Sequence, residues 1–201
     1  MKKQPDYLST SLWYRNLITD PYQVIAEFFS AASIVSHRKI IKGAIIAFCT
    51  DRLYRKESPG DVLHEFKLLE SVINAAYIIN LEKKENPLDI SESDLFNKNL
   101  YYGKHRYLTE WECFPRSLSM KEYINPYLVF KKFFKYQELG SWKNDLQEIL
   151  EFSLVKTSCL EGGTSIDILS IYFHLTKLVE AAHLIDVREV THVGGQIKNK
   201  F

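Results

Sequence analysis

Apolar residues recur every three or four positions along three stretches of the first half of the chain. The first stretch follows Asp20-Pro21, the second begins near Ser36, and the third follows Pro59-Gly60. An acceptor side chain and a proline suit the first positions of a helix, and apolar residues at this spacing line one helix face. The apolar positions are Val24, Ile25, Phe28 and Phe29, then Ile41, Ile45 and Phe48, then Val62, Phe66, Leu69, Ile73 and Ala76. The pattern predicts three amphipathic helices.

The same pattern returns in the second half of the chain. Residues 20–29 read DPYQVIAEFF, and NPYLVFKKFF follows 105 positions later at residues 125–134. The agreement continues through the second stretch, and residues 61–79 then match residues 167–185 at an offset of 106. We interpret the match as an internal duplication, although two unrelated amphipathic segments would also align in part. The predicted fold is all-α, with about six main helices in two tandem three-helix repeats related by a pseudo-twofold axis.

These repeats divide the chain into segments that we expect to pack as one compact unit. A three-helix unit of about seventy residues buries only a marginal core by itself. The linker between the repeats, residues 84–119, is too aromatic to be simply disordered. Its stretch LYYGKHRYLTEW predicts either a short hairpin near Gly103-Lys104 or an irregular flap over the helices. The segments are an N-terminal segment 1–19, a first repeat 20–83, an aromatic-rich linker 84–119, a second repeat 120–188 and a flexible tail 189–201.

Composition narrows the classes of function. The chain has 201 residues with 26 basic and 25 acidic side chains, so it lacks the broad positive charge of a general nucleic-acid binder. No secretory signal or membrane-spanning apolar run is evident, which predicts a cytoplasmic protein with no membrane contact. Cys49, Cys113 and Cys159 have no CxxC spacing and are expected to be free thiols rather than zinc ligands.

One cluster in the linker combines cations with aromatic rings. Such a surface could bind a protein, because Tyr, Trp and Arg dominate interface hot spots, or single-stranded nucleic acid, by stacking and charge. The plainer interpretation is that the rings pin the linker to its own core while the charges face water. The candidate partner-binding residues are Tyr101, Tyr102, Lys104, His105, Arg106, Tyr107 and Trp111.

Two further sites are weaker candidates. Glu180 and His183 stand three positions apart, as in the Glu-x-x-His motif of di-iron proteins, but the aligned positions Asn74 and Tyr77 supply no second motif. We therefore expect no metal site and interpret the pair as a polar helix edge. Tyr22 and its aligned counterpart Tyr127 would either line a groove between the halves or pack over their own helix starts.

The sequence contains no recognised catalytic motif, phosphate loop or metal-binding pattern. We therefore name no catalytic residue and no cofactor. The leading hypothesis is a non-catalytic adaptor or regulator that contacts an unknown protein or associates with itself. Two alternatives stay open: a nucleic-acid-binding regulator that uses Lys104–Arg106, and a small-molecule binder or enzyme with a pocket between the repeats.

Overall fold

The computed structural model of the chain describes residues 5–12, 15–82, 110–159, 163, 166–193 and 196–197. These residues are mostly helical, which confirms the all-α prediction. The helices are α1 (Pro21–Ala31), α2 (Ile34–Phe48), α3 (Pro59–Leu81), α4 (Glu110–Cys113), α5 (Met120–Ile124), α6 (Tyr127–Tyr136), α7 (Leu139–Ser153) and α8 (Ile168–Arg188). A 3-10 turn at Asp6–Leu8 precedes them, and β1 (His192–Val193) pairs antiparallel with β2 (Gln196–Ile197). The hairpin predicted near Gly103-Lys104 lies outside the described residues.

Proline and a capping side chain start α1, as the sequence predicts, and they also start α3, which begins at Pro59 rather than after Pro59-Gly60. Asp20 accepts a hydrogen bond from the Tyr22 backbone N–H at 2.9 Å, and Ser58 forms a capping box with Asp61 before α3. The aligned start of α6 differs, because this helix begins at Tyr127 without a side-chain cap. Asn125 instead ends α5, since its backbone N–H donates to the Lys121 carbonyl at 2.9 Å.

One continuous apolar core joins both halves of the chain. Each fully buried ring or aliphatic side chain contributes roughly 1.5–3 kcal/mol to the free energy of unfolding. The long helices interleave within this core: α2 packs against α7 and α8, and α7 also packs against α3. The largest fully buried side chains include Trp142, Phe28, Phe48, Phe130 and Phe133.

A pair of stacked rings occurs twice in this core. The His37 ring stacks on Phe28 with centroids 3.7 Å apart, and Trp142 stacks on Phe133 with centroids 3.8 Å apart. The His37 Nε2 atom lies 3.2 Å from the Phe28 carbonyl oxygen, and the Trp142 indole N–H donates to the Phe133 carbonyl at 3.2 Å. Each pair of positions is related by the offset of 105. The duplication itself stays a prediction.

The two ring pairs differ in the groups that surround His37 and Trp142. Imidazole has two ring nitrogens, and the buried Nδ1 atom of His37 lies 2.5 Å from Glu65 Oε1. The position aligned with Glu65 at the offset of 106 is Ile171, which is buried. Indole has a single N–H, so Trp142 requires no second polar partner. Positions 37 and 65 are therefore both polar, whereas the aligned positions 142 and 171 hold Trp and Ile.

Helix α8 runs through the core. By length and composition it is the one helix among the described residues that could cross a membrane, with a mean hydropathy of 1.3 in its most apolar window. That window is 61% buried inside the protein. The packing of α8 against α1, α2 and α6 accounts for its apolar composition.

The loop after α2 folds back onto that helix at Gly43. Tyr54 is buried, its backbone N–H donates to the Ser153 carbonyl at 3.0 Å, and its ring covers Gly43. A Cβ atom at position 43 would overlap Cε2 of Tyr54 and lie 2.9 Å from Cδ2. Glycine is required at this position because an aromatic ring occupies the space of a side chain.

We predict that Gly43→Ala lowers the free energy of unfolding by roughly 1–3 kcal/mol, since displacing Tyr54 outweighs the gain in helix propensity of about 1 kcal/mol. Gly140→Ala in α7 is the matched control, because no atom lies within 4 Å of its added Cβ. Urea denaturation of both variants checks the prediction. Equal stability of the two variants would contradict it.

Candidate functional site

A buried ion pair lies between α2 and α8. The Arg38 Nη2 atom is 2.9 Å from Glu180 Oε1, and the Glu180 side chain is 0% exposed. This position overturns the interpretation of Glu180 as a polar helix edge. Burial lowers the pKa of the Arg38 guanidinium from its ordinary value, while the neighbouring Glu180 carboxylate opposes that shift.

The ion pair holds the backbone of residues 110–117, which we call the Trp111 segment. Glu180 accepts hydrogen bonds from the backbone N–H groups of Arg116 at 3.0 Å and Ser117 at 2.8 Å. Arg38 donates to the carbonyl oxygens of Glu112 at 2.9 Å and Phe114 at 2.8 Å. A segment with only one helical turn of its own thus has four backbone groups bonded to two side chains of the core.

Trp111 projects from this fixed backbone into solvent. The residue is 79% exposed, the largest exposure among the large apolar residues of the described chain. Two positions later, Cys113 is buried and packs with Leu184 and Val187 of α8. The segment therefore buries one side and presents an indole on the other.

The other residues of the predicted partner-binding cluster lie outside the described residues: Tyr101, Tyr102, Lys104, His105, Arg106 and Tyr107. Their role, and nucleic-acid binding by Lys104–Arg106, stay predictions.

Tyr22 and Tyr127 meet in the structure. Their hydroxyl oxygens are 3.5 Å apart, and the Tyr127 hydroxyl also donates to a carboxylate oxygen of Glu189. Burial, followed by the Glu189 hydrogen bond, raises the pKa of Tyr127 well above its ordinary value. Tyr127 is only 4% exposed, so the cluster ties α1, α6 and the end of α8 together.

His183 packs against an aromatic ring and does not form a metal-binding pair with Glu180. Its ring centroid is 5.0 Å from that of Phe29, and the residue is 6% exposed. Both Glu180 oxygens are hydrogen-bonded to backbone N–H groups. Within the described ranges, no group of three or more His, Cys, Asp and Glu side chains could hold a metal ion.

A polar cleft of about 310 Å³ opens between the N-terminal segment, α3 and α7. It therefore lies where the two halves meet. The Nζ atom of Lys143 in the cleft lies 3.9 Å from Glu70 Oε1. The Nζ atom of Lys67 lies 3.7 Å from Glu70 Oε2. The cleft presents both signs of charge together with hydroxyl groups. Its lining residues are Asp6, Ser9, Thr10, Ser11, Arg15, Glu70 and Lys143.

Arg15 at the cleft has a strained backbone. Its φ angle is 36°, in the left-handed region that side chains other than glycine rarely adopt. Local hydrogen bonds hold it there: the Arg15 N–H donates to the Leu12 carbonyl at 3.1 Å, and Asn16 and Thr10 bond each other. Strain of this kind persists only where neighbouring contacts enforce it, and it is frequent at binding sites.

Sequence reasoning missed the Arg38–Glu180 pair and the residues that line the cleft. A signal for the pair was present, since Glu180 interrupts the most apolar part of α8 and a buried carboxylate needs a cation. No such signal marked the cleft, because its residues come from separate segments with ordinary surface composition.

We predict that Glu180→Gln lowers the free energy of unfolding by roughly 3 kcal/mol or more, because Arg38 is then left as a buried charge without its counter-ion. Arg38→Met should cost a similar amount, and the double variant should cost less than the sum, with a coupling of roughly 1–3 kcal/mol. The exposed Glu151→Gln serves as a control. A coupling energy near zero from urea denaturation would rule out the pair as a unit.

No protein-family model matches the chain, and the comparisons with curated proteins and with solved structures found no significant match. Evidence on function therefore comes from the Trp111 segment and the polar cleft.

Proposed function

We propose that the protein binds a protein partner through the Trp111 segment, as a non-catalytic adaptor or regulator. The observation that carries this proposal is the 79% exposure of Trp111 on a backbone held by a buried ion pair. Trp is enriched among the few residues that supply most of the binding energy of an interface. Because the backbone is already held, little backbone entropy is lost when the indole enters a pocket of the partner.

The energetics of the segment support the same conclusion. Burying two charges costs several kcal/mol of solvation before their attraction is counted, and an apolar pair would fill the space at lower cost. What the charged pair provides is a fixed backbone, because each charge bonds two main-chain groups of the segment. The ion pair therefore serves to hold the backbone from which Trp111 projects.

Apolar side chains of α5 extend the surface. Met120 is 58% exposed and Ile124 is 37% exposed, and the spacing of four residues places both on one helix face. The α5 residue Tyr123 packs on the same apolar cluster as Cys113. The two short helices α4 and α5 therefore pack on one apolar cluster, and we propose that a partner that covers Trp111 also covers α5.

We predict that Trp111→Ala weakens partner binding by roughly 30-fold or more while leaving the midpoint of thermal unfolding unchanged, because the indole contacts the partner and not the core. The partner is first captured by a photo-crosslinking residue placed at position 111 in cells that express the protein. Binding of the purified partner is then measured by calorimetry.

Ile46→Ala is the matched control, since Ile46 is 52% exposed on the separate surface of α2. It should leave the affinity unchanged. The proposal fails if Trp111→Ala binds as tightly as the wild type, or if position 111 crosslinks to nothing that position 46 does not also capture.

The polar cleft favours a second candidate function, the binding of a small polar molecule between the halves. Arg15 and Lys143 supply cations, Asp6 and Glu70 supply carboxylates, and the hydroxyls of the N-terminal segment supply further hydrogen bonds. A small zwitterion such as a free amino acid carries groups that complement both charges. A cleft of about 310 Å³ is at the lower end of the range for small-molecule sites.

We predict that free amino acids raise the midpoint of thermal unfolding of the wild type and do not raise that of Arg15→Gly. Glycine tolerates the φ of 36°, so this variant removes the guanidinium while relieving backbone strain. Lys121→Ala on α5 is a control that should retain the shift. If no amino acid at millimolar concentration shifts the wild type, the cleft is not a zwitterion site.

A further inference from the structure

Cys49 and Cys159 lie side by side although 110 positions separate them in the chain. Cys49 ends α2, and its backbone N–H donates to the Ile45 carbonyl at 3.1 Å. Cys159 lies in the segment after α7, and its backbone N–H donates to the carbonyl oxygen of Phe48 at 3.0 Å. This hydrogen bond joins the backbone immediately before Cys49 to Cys159 itself.

The two thiols also interact through their side chains. Burial raises the pKa of Cys49, and a hydrogen bond with Cys159 opposes that shift. Burial, followed by the neighbouring Cys49, raises the pKa of Cys159 to about 11. Cys159 is fully buried, whereas Cys49 is half-buried and is the thiol that a small solute reaches first.

We propose that Cys49 and Cys159 form a reversible intramolecular disulfide when the protein meets a peroxide. The geometry that supports this is the hydrogen bond from the Cys159 backbone N–H to the Phe48 carbonyl at 3.0 Å, which brings the two backbones together. Disulfides require Cα atoms within about 7 Å of each other, a separation that a backbone hydrogen bond one residue away permits.

The chemistry proceeds in two balanced steps. The Cys49 thiolate attacks the peroxide, its sulfur gains one oxygen to give a sulfenic acid, and the peroxide leaves as an alcohol or water. The Cys159 sulfur then attacks the Cys49 sulfur, the S–S bond forms, and the hydroxyl leaves as water. A small thiol reverses the bond by exchange, and is itself oxidised to a disulfide.

The crosslink would join the two halves of the chain at their seam. Cys49 belongs to the end of α2 and Cys159 to the segment after α7, and these two helices pack on each other. A disulfide across 110 positions removes much of the freedom of the unfolded chain. We therefore expect oxidation to raise the midpoint of thermal unfolding by roughly 5–10 °C.

The test treats the folded full-length protein with hydrogen peroxide, quenches it with an alkylating reagent and measures the intact mass. The expected result is a loss of two hydrogen atoms, two thiols protected from alkylation, and a peptide that links Cys49 to Cys159. The rate should still be rising with pH at pH 9, because burial raises the pKa of both thiols and the thiolate is the form that reacts. Dithiothreitol should restore the starting mass.

Cys113→Ser is the matched control, since Cys113 packs in a separate cluster and should play no part. Cys49→Ser should abolish the protected pair, and its half-buried site tolerates the change better than position 159. The proposal is overturned if the wild type only gains oxygen atoms, if it crosslinks between chains, or if Cys113→Ser removes the linked peptide. It is equally overturned if Cys49→Ser leaves two thiols protected.

Discussion

Glu180 lies in the middle of α8, the one described helix that is long and apolar enough to cross a membrane, and its negative charge determines how the surrounding segments are arranged. A carboxylate with no exposed surface must be neutralised and hydrogen-bonded, so α2 has to bring Arg38 to it and residues 116–117 have to bring their N–H groups. The apolar core alone would hold α2 against α8. The charge pair adds the fixed position of the Trp111 segment, from which the proposed contact surface follows.

The N-terminal segment is held in a related way. Asn74 of α3 donates to the Ser9 carbonyl at 2.9 Å, and the Ser71 hydroxyl accepts from the Ser11 N–H at 2.9 Å. Ser71 and Asn74 are three positions apart, so both reach the same side of α3. In both places, a polar side chain of a core helix binds the backbone of a segment that packs beside it. The polar cleft lies beside the segment held by α3.

The core shows how one packing arrangement can be built from different chemistry. At aligned positions of the two halves, a ring stacks on a phenylalanine and its ring nitrogen lies 3.2 Å from the carbonyl oxygen of that phenylalanine. Where the ring is His37, its second nitrogen requires Glu65, and where it is Trp142, the aligned position holds Ile171. His37 and Glu65 are bonded to each other, and a buried polar group that loses its partner is costly, so such a pair would have to change as a unit.

The sequence by itself determined the helical class, because apolar spacing and capping residues are local signals that a short stretch of chain carries. It also placed the start of α1 and singled out Trp111, Tyr22 and Tyr127 as residues of interest. Only the tertiary structure decided that Arg38 meets Glu180, that Cys49 lies beside Cys159, and that a cleft opens between α3 and α7. These pairings depend on helix crossings between positions far apart in the chain, and no local spacing specifies which face of one helix meets which face of another.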